Sequence, residues 1–564
     1  MKSGQPSYFK WQRYESARPQ ELDGPGPAFQ VAVVGAGPVG LASALTLAQQ
    51  GIRVVLLETR DQLSANSRTI AVSRRSAQVL DRLGLAGPFK DVSAVRQFNQ
   101  VYHGSRLVHT ASYERVAAEK WPDTSSLQQP WTEKILLDGV LNHPNIDLRW
   151  LNEVRGVDLS DPQRPKLAVH SPHGDYSLTA DYVIAADGAR SSVKRCLGCE
   201  YEEIGAGTSG RRFVICDFEM KTSSPYTRRL MLHPPYKPGS VALLHRQPFN
   251  VWRLDYAIDS DEDIEEQTRE DVVAARVRAQ IDMLDDPTAD KDDVKIVWIS
   301  GYTPRALSLP DYRHGRVFFA GDAAHQTPIF GGRGMNQGLL DQANLCWRLG
   351  FVINGHASPS ILDRYDLERR PIIIRNLRAV EQATLFMSNP TRGSAVMREA
   401  VLGLLPTEPF VLGLIDAFAA ARAESNLTPA PDVDPPIGAA EGSPLPDAQI
   451  KGLPDGKATF VHELLRSGGF TGIYFTEDGS VPGPLVEAFK SLHSGNAPFR
   501  SVVVGRVPEG ACTAWDETGT AFERLAVRHG SLLLVRPDGY VCARLERAEP
   551  LALLAAFRAV LGFS

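Results

Sequence analysis

The sequence predicts an α/β protein whose first domain is built on a parallel sheet. The apolar run at residues 31–34 leads directly into a G-x-G-x-x-G turn formed by Gly35, Gly37 and Gly40. A second apolar run, residues 54–57, ends in Glu58, which lies 18 residues after Gly40. This order of strand, glycine turn, helix start and second strand with a terminal acid is typical of a dinucleotide-binding βαβ unit. We therefore expect a Rossmann-like domain near the start of the chain.

The residue types of this unit suit a pyrophosphate and a ribose. Glycine lets the backbone approach a pyrophosphate closely, and the N–H groups at the start of the next helix face its charge. Pro38 and Val39 complete the turn, and the carboxylate of Glu58 is placed to accept hydrogen bonds from ribose hydroxyls. Thr59 and Arg60 follow directly and are expected beside the same nucleotide.

Composition restricts the class of protein. The 564 residues are enough for two to four domains, and 43% hydrophobic with 23% charged residues is ordinary for a soluble globular protein. A net charge of -5 gives no basic signature, so we expect no nucleic-acid partner. No apolar run reaches the ~18 residues of a membrane span, and the polar N-terminal residues 1–27 lack a signal-peptide core. We expect a cytoplasmic protein with no membrane partner.

The six cysteines predict neither a disulfide framework nor a metal site. Cys196 and Cys199 form C-L-G-C, but no second cysteine or histidine pair at zinc spacing lies nearby. Cys512 begins Cys-Thr-Ala-Trp, which lacks the second sulfur of a redox C-x-x-C motif. We therefore expect no metal and no dithiol cycle.

Two later strand ends carry polar residues that suit a bound nucleotide. A strand at residues 182–186 stops at Asp187, and the glycine that follows permits a close turn. A second strand, residues 317–320, runs into Gly321 and Asp322. A carboxylate at the carboxyl end of a strand can accept hydrogen bonds from sugar or ribityl hydroxyls, which favours a flavin nucleotide.

A glycine-rich turn and a helix follow this strand. The helix is expected from about Gly334, and its first residues include Met335 and Asn336. The helix N-terminus offers N–H groups and about half a positive charge, which would stabilise a reduced, anionic isoalloxazine ring. A helix capped only for its own stability would not explain the three closely spaced glycines Gly331, Gly332 and Gly334.

In their order and spacing these motifs resemble the flavoprotein aromatic hydroxylases, the family of para-hydroxybenzoate hydroxylase. The segments that carry the resemblance are GAGPVG, SRTIAVSRRSAQVLDRLGL, ADGARSSV and GDAAHQTPIFGGRGMNQGLLDQANLCWRL. The likeness is greater to the branch of 3-(3-hydroxyphenyl)propionate hydroxylase, polyketide hydroxylases and phenol hydroxylase, which carry a thioredoxin-like C-terminal domain. The apolar run 532–535, followed by Arg-Pro-Asp-Gly-Tyr-Val, is similar to the last hairpin of that domain.

The resemblance implies a Rossmann-like FAD-binding domain with an inserted α+β substrate domain and a C-terminal thioredoxin-like domain. A polar N-terminal extension is expected at 1–27, the FAD-binding domain at 28–440 and the thioredoxin-like domain at 449–564. Within the FAD-binding domain, the substrate domain is inserted mainly at 201–300, and a helical segment is expected at 360–421. Residues 213–220, 241–246 and 251–257 are expected to form an antiparallel sheet over the flavin. A proline-rich linker at 428–448 precedes the last domain.

The resemblance also implies roles for individual residues. The arginine matching Arg68 contacts the flavin nucleotide, and the glutamine matching Gln129 approaches the cofactor. Pro328 matches a proline whose carbonyl lies beside the substrate, and Asn336 belongs to the matching helix start. Arg333 departs from the glutamine that is commoner in the family.

One strand of the expected substrate sheet carries a further candidate. Arg253 and Asp255 in VWRLDY share one strand face, and Arg253 resembles an arginine on the flavin-facing sheet of the family. An exposed, salt-bridged strand face is the alternative. The candidate catalytic residues are Arg253, Pro328 and Asn336. Four polar residues nearby could bind a phenol or a carboxylate, or face water: Tyr226, His233, Tyr236 and Arg246.

The chemistry implied by the resemblance is aromatic hydroxylation. NADPH or NADH, as a transient reductant, reduces FAD, and O2 adds to flavin C4a to form a hydroperoxide that hydroxylates an electron-rich, phenolic ring. The protein must exclude water and favour the phenolate of its small aromatic substrate, but the sequence does not identify the base. We expect a homodimer or another homo-oligomer.

Two other functions remain open from the residues alone. An FAD-dependent dehydrogenase or oxidase would use the same cofactor without inserting oxygen, and a non-catalytic flavoprotein would show no NAD(P)H oxidation stimulated by a substrate. A flavin-dependent halogenase is disfavoured, because the chain has no W-x-W-x-I-P signature.

Overall fold

A computed structural model describes residues 6–563 of the chain, except for 113–117, 206–211, 260, 285, 329–331, 389–391, 405–406, 409–410, 412–437 and 466–467. Three large sheets organise the described residues. We call them the first, second and third sheet in chain order. None of the helices in the described ranges combines the length and apolar character that crossing a bilayer requires.

The first sheet has a core of five parallel strands. Across the sheet these are Val317–Phe319, Gly174–Ala185, Phe29–Val34, Val54–Glu58 and Ile146–Trp150. Three antiparallel strands extend it: Arg313–His314, Lys166–Ser171 and Glu153–Asp158. The central strands are buried on both faces, as the continuous apolar runs in the sequence predict. The strands expected near residues 31, 54, 182 and 317 are confirmed.

Helices from several parts of the chain accompany this sheet. They are Pro38–Ala48, Arg74–Arg82, Ala86–Val92, Gln129–Leu141, Ser192–Cys196 and Gly334–Ile353, with 3-10 turns at Gln20–Leu22, Gly321–Ala323 and Pro359–Leu362. Two of the helices begin with proline at the first or second position, where no intrahelical N–H bond is lost. The helix expected from about Gly334 is confirmed. Two small sheets complete this part of the chain: Glu202–Glu203 with Leu307–Ser308 and His325–Gln326, and Ala71–Ser73 with Thr124–Ser126 and Ala94–Val95.

The second sheet has seven strands. In order they are Lys295–Tyr302, Arg212–Glu219, Val251–Ile258, Val241–Arg246, Thr227–Leu232, Phe98–His103 and Arg106–Ser112. The strands expected at 213–220, 241–246 and 251–257 are confirmed, and all neighbours are antiparallel except the parallel pair that joins Thr227–Leu232 to Phe98–His103. The last two strands come from a part of the chain well before residue 201, so the sheet is built from two separate segments.

Different helices cover the two faces of the second sheet. Helix Glu270–Asp282, preceded by the short helix Ile264–Gln267, packs on the face that contains Trp252 and Leu254. Helices Asp363–Ser388 and Arg392–Leu404 pack on part of the opposite face. These two helices confirm helical structure in the expected segment up to residue 404, whereas residues 412–421 of that segment and 428–437 of the expected linker lie outside the described residues.

The third sheet belongs to the C-terminal part of the chain. Its strands are Ala458–Phe460, Gln449–Gly452, Ala514–Trp515, Phe499–Gly505, Phe470–Thr476, Leu532–Val535 and Val541–Leu545. A short 3-10 helix, Val461–Leu465, and three α-helices accompany this sheet: Gly483–His493, Thr520–Leu525 and Pro550–Val560. The central pair is parallel, Leu532–Val535 is antiparallel to Phe470–Thr476, and Val541–Leu545 is antiparallel to Leu532–Val535. The thioredoxin-like character of this domain stays a prediction.

The N-terminal segment packs on the first sheet through its aromatic residues. Phe9 is buried, with its ring centroid 5.2 Å from that of Trp131, and Tyr14 stacks on Trp150 at 4.6 Å. The buried guanidinium of Arg149 forms an ion pair with Glu21 at 2.9 Å. The polar composition of this segment therefore coexists with a small set of anchoring side chains.

Candidate active site

The first glycine turn leaves space in front of a helix N-terminus. Gly35 has φ of +97°, and a Cβ atom added there would lie 2.6 Å from the carbonyl oxygen of Ala186. A Cβ atom at Gly40 would lie 1.8 Å from the carbonyl oxygen of Gly35, so both positions require glycine. By contrast, a Cβ atom at Gly37 would meet no atom within 4 Å. The turn is thus tight inside the protein and open where helix Pro38–Ala48 presents its free N–H groups.

Glu58 lies at the end of the neighbouring strand, beside this turn. Its Oε2 accepts a 2.7 Å hydrogen bond from Ala36 N–H, and its Oε1 accepts from the backbone and the Nε of Arg60, each at 2.9 Å. Burial opposes ionisation, but the hydrogen bonds from Arg60 outweigh it and lower the pKa of Glu58. Thr59 Oγ lies 3.3 Å from the same carboxylate. The ribose contact of these three residues stays a prediction.

The second glycine turn lies directly against the first. A Cβ atom at Gly338 would lie 2.6 Å from Val39 Cγ2, and one at Gly321, which has φ of +62°, would lie 2.9 Å from the same atom. The carboxylate Oδ1 of Asp322 lies 3.6 Å from the Cβ position of Gly334, the first residue of helix Gly334–Ile353. Enclosure raises the pKa of Asp322. Two helix N-termini and two strand-end acids therefore meet at one edge of the first sheet.

The structure also brings Arg68 and Gln129 together. The side-chain oxygen of Gln129 accepts hydrogen bonds from the backbone N–H groups of Arg68 at 3.2 Å and Thr69 at 3.3 Å. Its Nε2 donates to Glu133 at 2.8 Å. Gln129 thus orients the backbone at Arg68, whose side chain is exposed. Their contacts with a cofactor stay predictions.

Arg253 connects the second sheet to the same segment. It forms a two-point ion pair with Asp217, at 2.7 and 2.8 Å, and it donates to the carbonyl oxygens of Ser67 and Arg68. Only 2% of Arg253 is exposed, so the alternative of an exposed strand face is wrong. Burial opposes its charge, but Asp217 outweighs this and raises the pKa of Arg253. These contacts make Arg253 a residue that positions the backbone beside Arg68, and its catalytic role stays a prediction.

Asn336 joins the start of the long helix to the segment that follows Arg68. Its Oδ1 accepts from Ser73 N–H at 2.9 Å and from Ser76 Oγ at 2.7 Å. Its Nδ2 donates to the carbonyl oxygens of Ala71 at 2.9 Å and Gly332 at 2.5 Å. These four bonds use the full hydrogen-bonding capacity of an amide side chain. Asn336 therefore holds the glycine turn in place, and its proposed catalytic role stays a prediction.

Asp187 caps a short helix at the end of strand Gly174–Ala185. Its Oδ2 accepts hydrogen bonds from the N–H groups of Ser192 at 2.7 Å and Val193 at 3.2 Å. Its Oδ1 is buried and has no hydrogen-bond partner among the described residues. The Cα of Asp187 would lie 2.7 Å from a Cβ atom at Gly35, so this acid adjoins the first glycine turn.

The remaining candidates lie around the start of helix Gly334–Ile353. Pro328 and Met335 are buried. Arg333 is also buried, and it donates a 2.6 Å hydrogen bond to Asn376 of helix Asp363–Ser388. Gly332 has φ of +57°, a conformation that favours glycine. Gly331 lies outside the described residues.

A family model described as an FAD binding domain matches residues 28–380, which contain all of these motifs. The chain belongs to the FAD binding domain family. The open space at Gly37, the paired helix N-termini and the strand-end carboxylate of Asp322 fit a dinucleotide that carries a ribityl chain. FAD as the cofactor is therefore confirmed. The individual residues that the motifs predict to hold FAD stay a prediction.

Comparisons with curated proteins show two informative relatives. The chain is 29% identical over 349 residues to a 3-(3-hydroxy-phenyl)propionate/3-hydroxycinnamic acid hydroxylase from Mycolicibacterium smegmatis. The aligned residues cover 62% of this chain and 59% of the relative. The chain is also 30% identical over 347 residues to a para-nitrophenol 4-monooxygenase from Pseudomonas sp. (strain WBC-3). This alignment covers 61% of this chain and 83% of the relative. The match thus spans about three fifths of the length of the hydroxylase relative.

Among solved structures, the fold is similar to that of the flavin-dependent monooxygenase PieE in complex with FAD and substrate. The TM-score is 0.81 at 23% sequence identity, and the match covers 96% of this chain and 100% of that chain. At this identity the similarity shows the fold alone. It confirms the mixed α/β class that the sequence predicts for this FAD-binding chain.

Two groups of functional interest in this FAD-binding chain carry no local sequence signal. The first lies under the turn at Gly321. His325 and Asp341 are fully buried, with His325 Nε2 2.7 Å from Asp341 Oδ2, and Arg369 donates to Asp341 Oδ1 at 2.8 Å. Burial opposes ionisation, but His325 and Arg369 outweigh it and lower the pKa of Asp341 to about 2. Asp341 also accepts from Gly321 N–H at 3.1 Å, so this group supports the turn that carries Asp322.

The second is a buried polar group on the second sheet, which we call the sheet-face cluster: Asp217, Arg228, His245, Arg253 and Asp255. His245 Nε2 lies 4.0 Å from Asp255 Oδ2. Burial, together with nearby arginines, keeps the pKa of His245 well below its ordinary value, so this imidazole is neutral. Burial raises the pKa of Asp255 to about 7, although Arg253 opposes the shift. The spacing of Arg253 and Asp255 predicted that they share a face, but not that this face is buried.

The other polar residues considered on this sheet have their own partners. Tyr236 donates a 2.7 Å hydrogen bond to Gln280 of helix Glu270–Asp282. Arg246 lies over the ring of Tyr226, 4.4 Å from its centroid. His233 accepts a hydrogen bond from Arg398. These contacts support the second sheet and do not single out any of the four as a substrate ligand.

Proposed function

We propose that this protein is a single-component, FAD-dependent monooxygenase that uses NADH or NADPH and O2 to hydroxylate a phenolic or similarly activated aromatic substrate. Family membership establishes the cofactor. The two relatives named above are a hydroxylase of a hydroxyphenyl acid and a monooxygenase of a nitrophenol, which supports a phenol as substrate. The observation that carries the proposal is that Arg253 joins a buried polar sheet face to the backbone at Arg68, beside the cofactor cradle.

When bound, FAD supplies the electrons and the activation of O2 for transfer of one oxygen atom to the ring. The protein residues do the rest. The glycine turns at Gly35 and Gly321 receive the dinucleotide, and the helix beginning at Gly334 favours negative charge near its N-terminus. The second sheet, held by Arg253, covers this region and limits access of water, which keeps oxygen transfer ahead of wasteful release of peroxide.

The first test of this proposal is FAD content. The purified protein is expected to be yellow, with one non-covalent FAD per chain. Asp322→Ala is expected to weaken FAD binding by at least about tenfold, because it removes a strand-end carboxylate beside the helix N-terminus. Asp311→Ala, which changes an exposed aspartate earlier in the same segment, is the control. A colourless wild-type protein that does not take up added FAD would contradict the proposal.

Isotope labelling separates a monooxygenase from a dehydrogenase or oxidase. With a panel of phenols, the wild type is expected to consume NAD(P)H faster in the presence of substrate and to place one atom of 18O2 in the product. Substrate oxidation without labelled product would favour the dehydrogenase or oxidase instead.

A cytoplasmic location and a homodimeric or other homo-oligomeric state are part of the same proposal. The six cysteines are free in the structure, which suits a reducing compartment. Light scattering on the FAD-loaded protein measures its mass in solution, and a monomeric mass would refute the oligomer.

A further inference from the structure

The carboxylate of Asp255 has one oxygen that the protein leaves unused. Only 3% of this residue is exposed, and Asp255 Oδ1 is buried without a hydrogen-bond partner among the described residues. The hydroxyl of Tyr302 is also buried without a hydrogen-bond partner among the described residues. An unsatisfied buried polar atom lowers stability, so each one calls for an explanation, and contact with a ligand or a role in a reaction is one of them.

The register of the second sheet places these groups on one face. Asp255 pairs with Ile215, which pairs with Ser300, and Arg253 belongs to the adjacent row with Asp217 and Trp298. The guanidinium of Arg253 lies 5.5 Å from the ring centroid of Trp298, which confirms that these side chains share the face. Trp298, Ser300 and Tyr302 on the edge strand are partly exposed, so this edge of the face is the one nearest to solvent.

This face also adjoins the cofactor region. Arg253, two residues before Asp255 on the same strand, donates to the backbone of the segment that carries Arg68. Residues i and i+2 of a strand are about 7 Å apart. Asp255 therefore lies one step along the same strand face from the residue whose side chain contacts the segment carrying Arg68.

We propose that Asp255 is the base that binds the ring hydroxyl of the substrate and accepts its proton, with the hydroxyl of Tyr302 as a second polar contact. In this step the phenolic O–H bond breaks, the proton bonds to Asp255 Oδ1, and the electron pair of that bond stays on the substrate oxygen. The products are a phenolate and a neutral carboxylic acid. The inference rests on the proposed function and deepens it, because it assigns the substrate to phenols that arrive with an un-ionised hydroxyl.

Electrostatics supports this assignment. An ordinary aspartate is a weak base towards a phenol, whose pKa is about 10, and transfer becomes more favourable as the pKa of the base rises. Burial, the largest cause, raises the pKa of Asp255 to about 7. The phenolate would then be stabilised by the positive charges of Arg253 and Arg228. His245 is a poorer base, because burial and three arginines lower its pKa well below the ordinary value.

The charged and titratable groups around Asp255 must be known before a pH dependence can be assigned to it. These are Arg253 on the same strand, Asp217, Arg228 and His245 on other strands of the sheet, and Tyr302 on the edge strand. Helix Asp363–Ser388 packs on this face through Val380, Ala383, Phe386 and Met387, and the same stretch of the helix carries the buried Glu381. Arginine side chains keep their charge, and burial holds the pKa of His245 well below its ordinary value. Asp255, whose pKa burial raises to about 7, is therefore the group expected to titrate near neutral pH.

The experiment measures kcat and KM from pH 5.5 to 9 for wild type and Asp255→Asn, with 3-(3-hydroxyphenyl)propionate and para-nitrophenol as probes. For the wild type, kcat with the first probe is expected to rise with pH around a midpoint near 7. Asp255→Asn is expected to lose this rise and at least tenfold in kcat, with KM changed by less than about threefold and FAD content unchanged. With para-nitrophenol at high pH, where the probe is already ionised, the loss is expected to shrink to less than threefold.

Asp447→Asn is the matched control. Asp447 is also a buried aspartate, with its pKa raised to about 6 by burial, but its oxygens accept hydrogen bonds from the N–H groups of Lys120, Ala448 and His462. The control is expected to keep the pH rise. Asp255→Glu, which keeps a carboxylate, is expected to restore the rise with a shifted midpoint, and it replaces the asparagine variant if that variant does not fold.

Two outcomes overturn the inference in distinguishable ways. If Asp255→Asn or, in its place, Asp255→Glu follows the unchanged wild-type pH profile with unchanged kcat, Asp255 is not the base, and the proposed function still stands. If the wild type shows no NAD(P)H oxidation stimulated by any phenol of the panel, the proposed function fails and the role of Asp255 fails with it. Tyr302→Phe is expected to raise KM severalfold, and an unchanged KM would remove the second contact.

Discussion

Two of the buried charged clusters among the described residues differ in how fully their polar atoms are hydrogen-bonded. The interdomain cluster joins helix Gly334–Ile353 and helix Asp363–Ser388 to the C-terminal domain, and its members are Asn344, Arg348, Glu368, Arg536 and Asp538. Glu368 Oε1 accepts from Arg348 at 2.7 Å and from Arg536 at 2.9 Å, and Arg536 pairs with Asp538 at 2.7 Å. None of its members has a buried side-chain atom that lacks a hydrogen-bond partner among the described residues.

The sheet-face cluster is similar in burial and charge but incomplete. Asp255 Oδ1 and His245 Nδ1 are buried there without a hydrogen-bond partner among the described residues. Burial and charge are thus common to both clusters, and satisfaction of hydrogen bonds distinguishes them. An unsatisfied buried atom lowers stability and calls for an explanation, and a catalytic role is one such explanation.

The largest effect is expected from opening the interdomain cluster. Arg536→Met should lower the free energy of unfolding by about 3–5 kcal/mol, because it leaves Glu368 and Asp538 buried with lost partners. Denaturant unfolding of the FAD-loaded protein measures this. Arg547→Ala, at an exposed arginine of the same domain, is the control and should change stability by less than about 0.5 kcal/mol. A loss below about 1 kcal/mol in Arg536→Met would mean that the cluster does not hold the domains together.

A smaller effect of opposite sign is expected for the sheet-face cluster. The folded pKa of Asp255 is about 7, above the ordinary value of 3.8, so the folded state binds more protons between these values and stability falls as pH rises from about 4 to 7. Asp255→Asn removes this loss and should raise the free energy of unfolding at pH 8 by about 2–4 kcal/mol relative to wild type. At pH 4 the difference should be small. A variant that is destabilised at pH 8 would contradict this and indicate a structural aspartate.

The smallest effect is expected from the cysteines of the C-terminal domain. Cys542 donates to the carbonyl oxygen of Leu534 at 3.2 Å, and burial raises its pKa to about 12, while burial also raises the pKa of Cys512. Neither thiol is expected to ionise at neutral pH. Replacing both with alanine should leave product formation within about twofold of wild type. A folded, FAD-loaded double variant that no longer forms product would show that a thiol of this domain takes part in the reaction.

Local patterns were sufficient for the cofactor-binding part of the fold. Glycine at residue 40 is required by a contact within one short turn, and the positive φ of Gly35 also favours glycine. The start of helix Gly334–Ile353 follows from a glycine turn after a buried strand. These features depend on backbone sterics and on apolar periodicity over a few residues, which the chain displays directly. The strand pattern also predicted correctly that Arg253 and Asp255 share a face.

Other features arise only when distant segments meet. Arg253 contacts residue 67 across 186 positions, and Arg536 contacts Glu368 across 168 positions. Two strands from residues 98–112 extend the second sheet, and the aromatic residues of the N-terminal segment pack on the first sheet although the segment is polar overall.

The physical reason is that a local pattern states which face a side chain occupies but not what covers that face. Glycine turns, strand ends and helix starts can be recognised from residues close together in the chain. The contacts of Gly35 with Ala186 and of Gly321 with Val39 bring these turns together from distant segments. Burial, hydrogen-bond satisfaction and pKa are properties of the complete surroundings of a group. For this reason Asp255 looks in the sequence like one more polar residue on a strand, and only packing of the second sheet makes it a buried carboxylate with an unused oxygen.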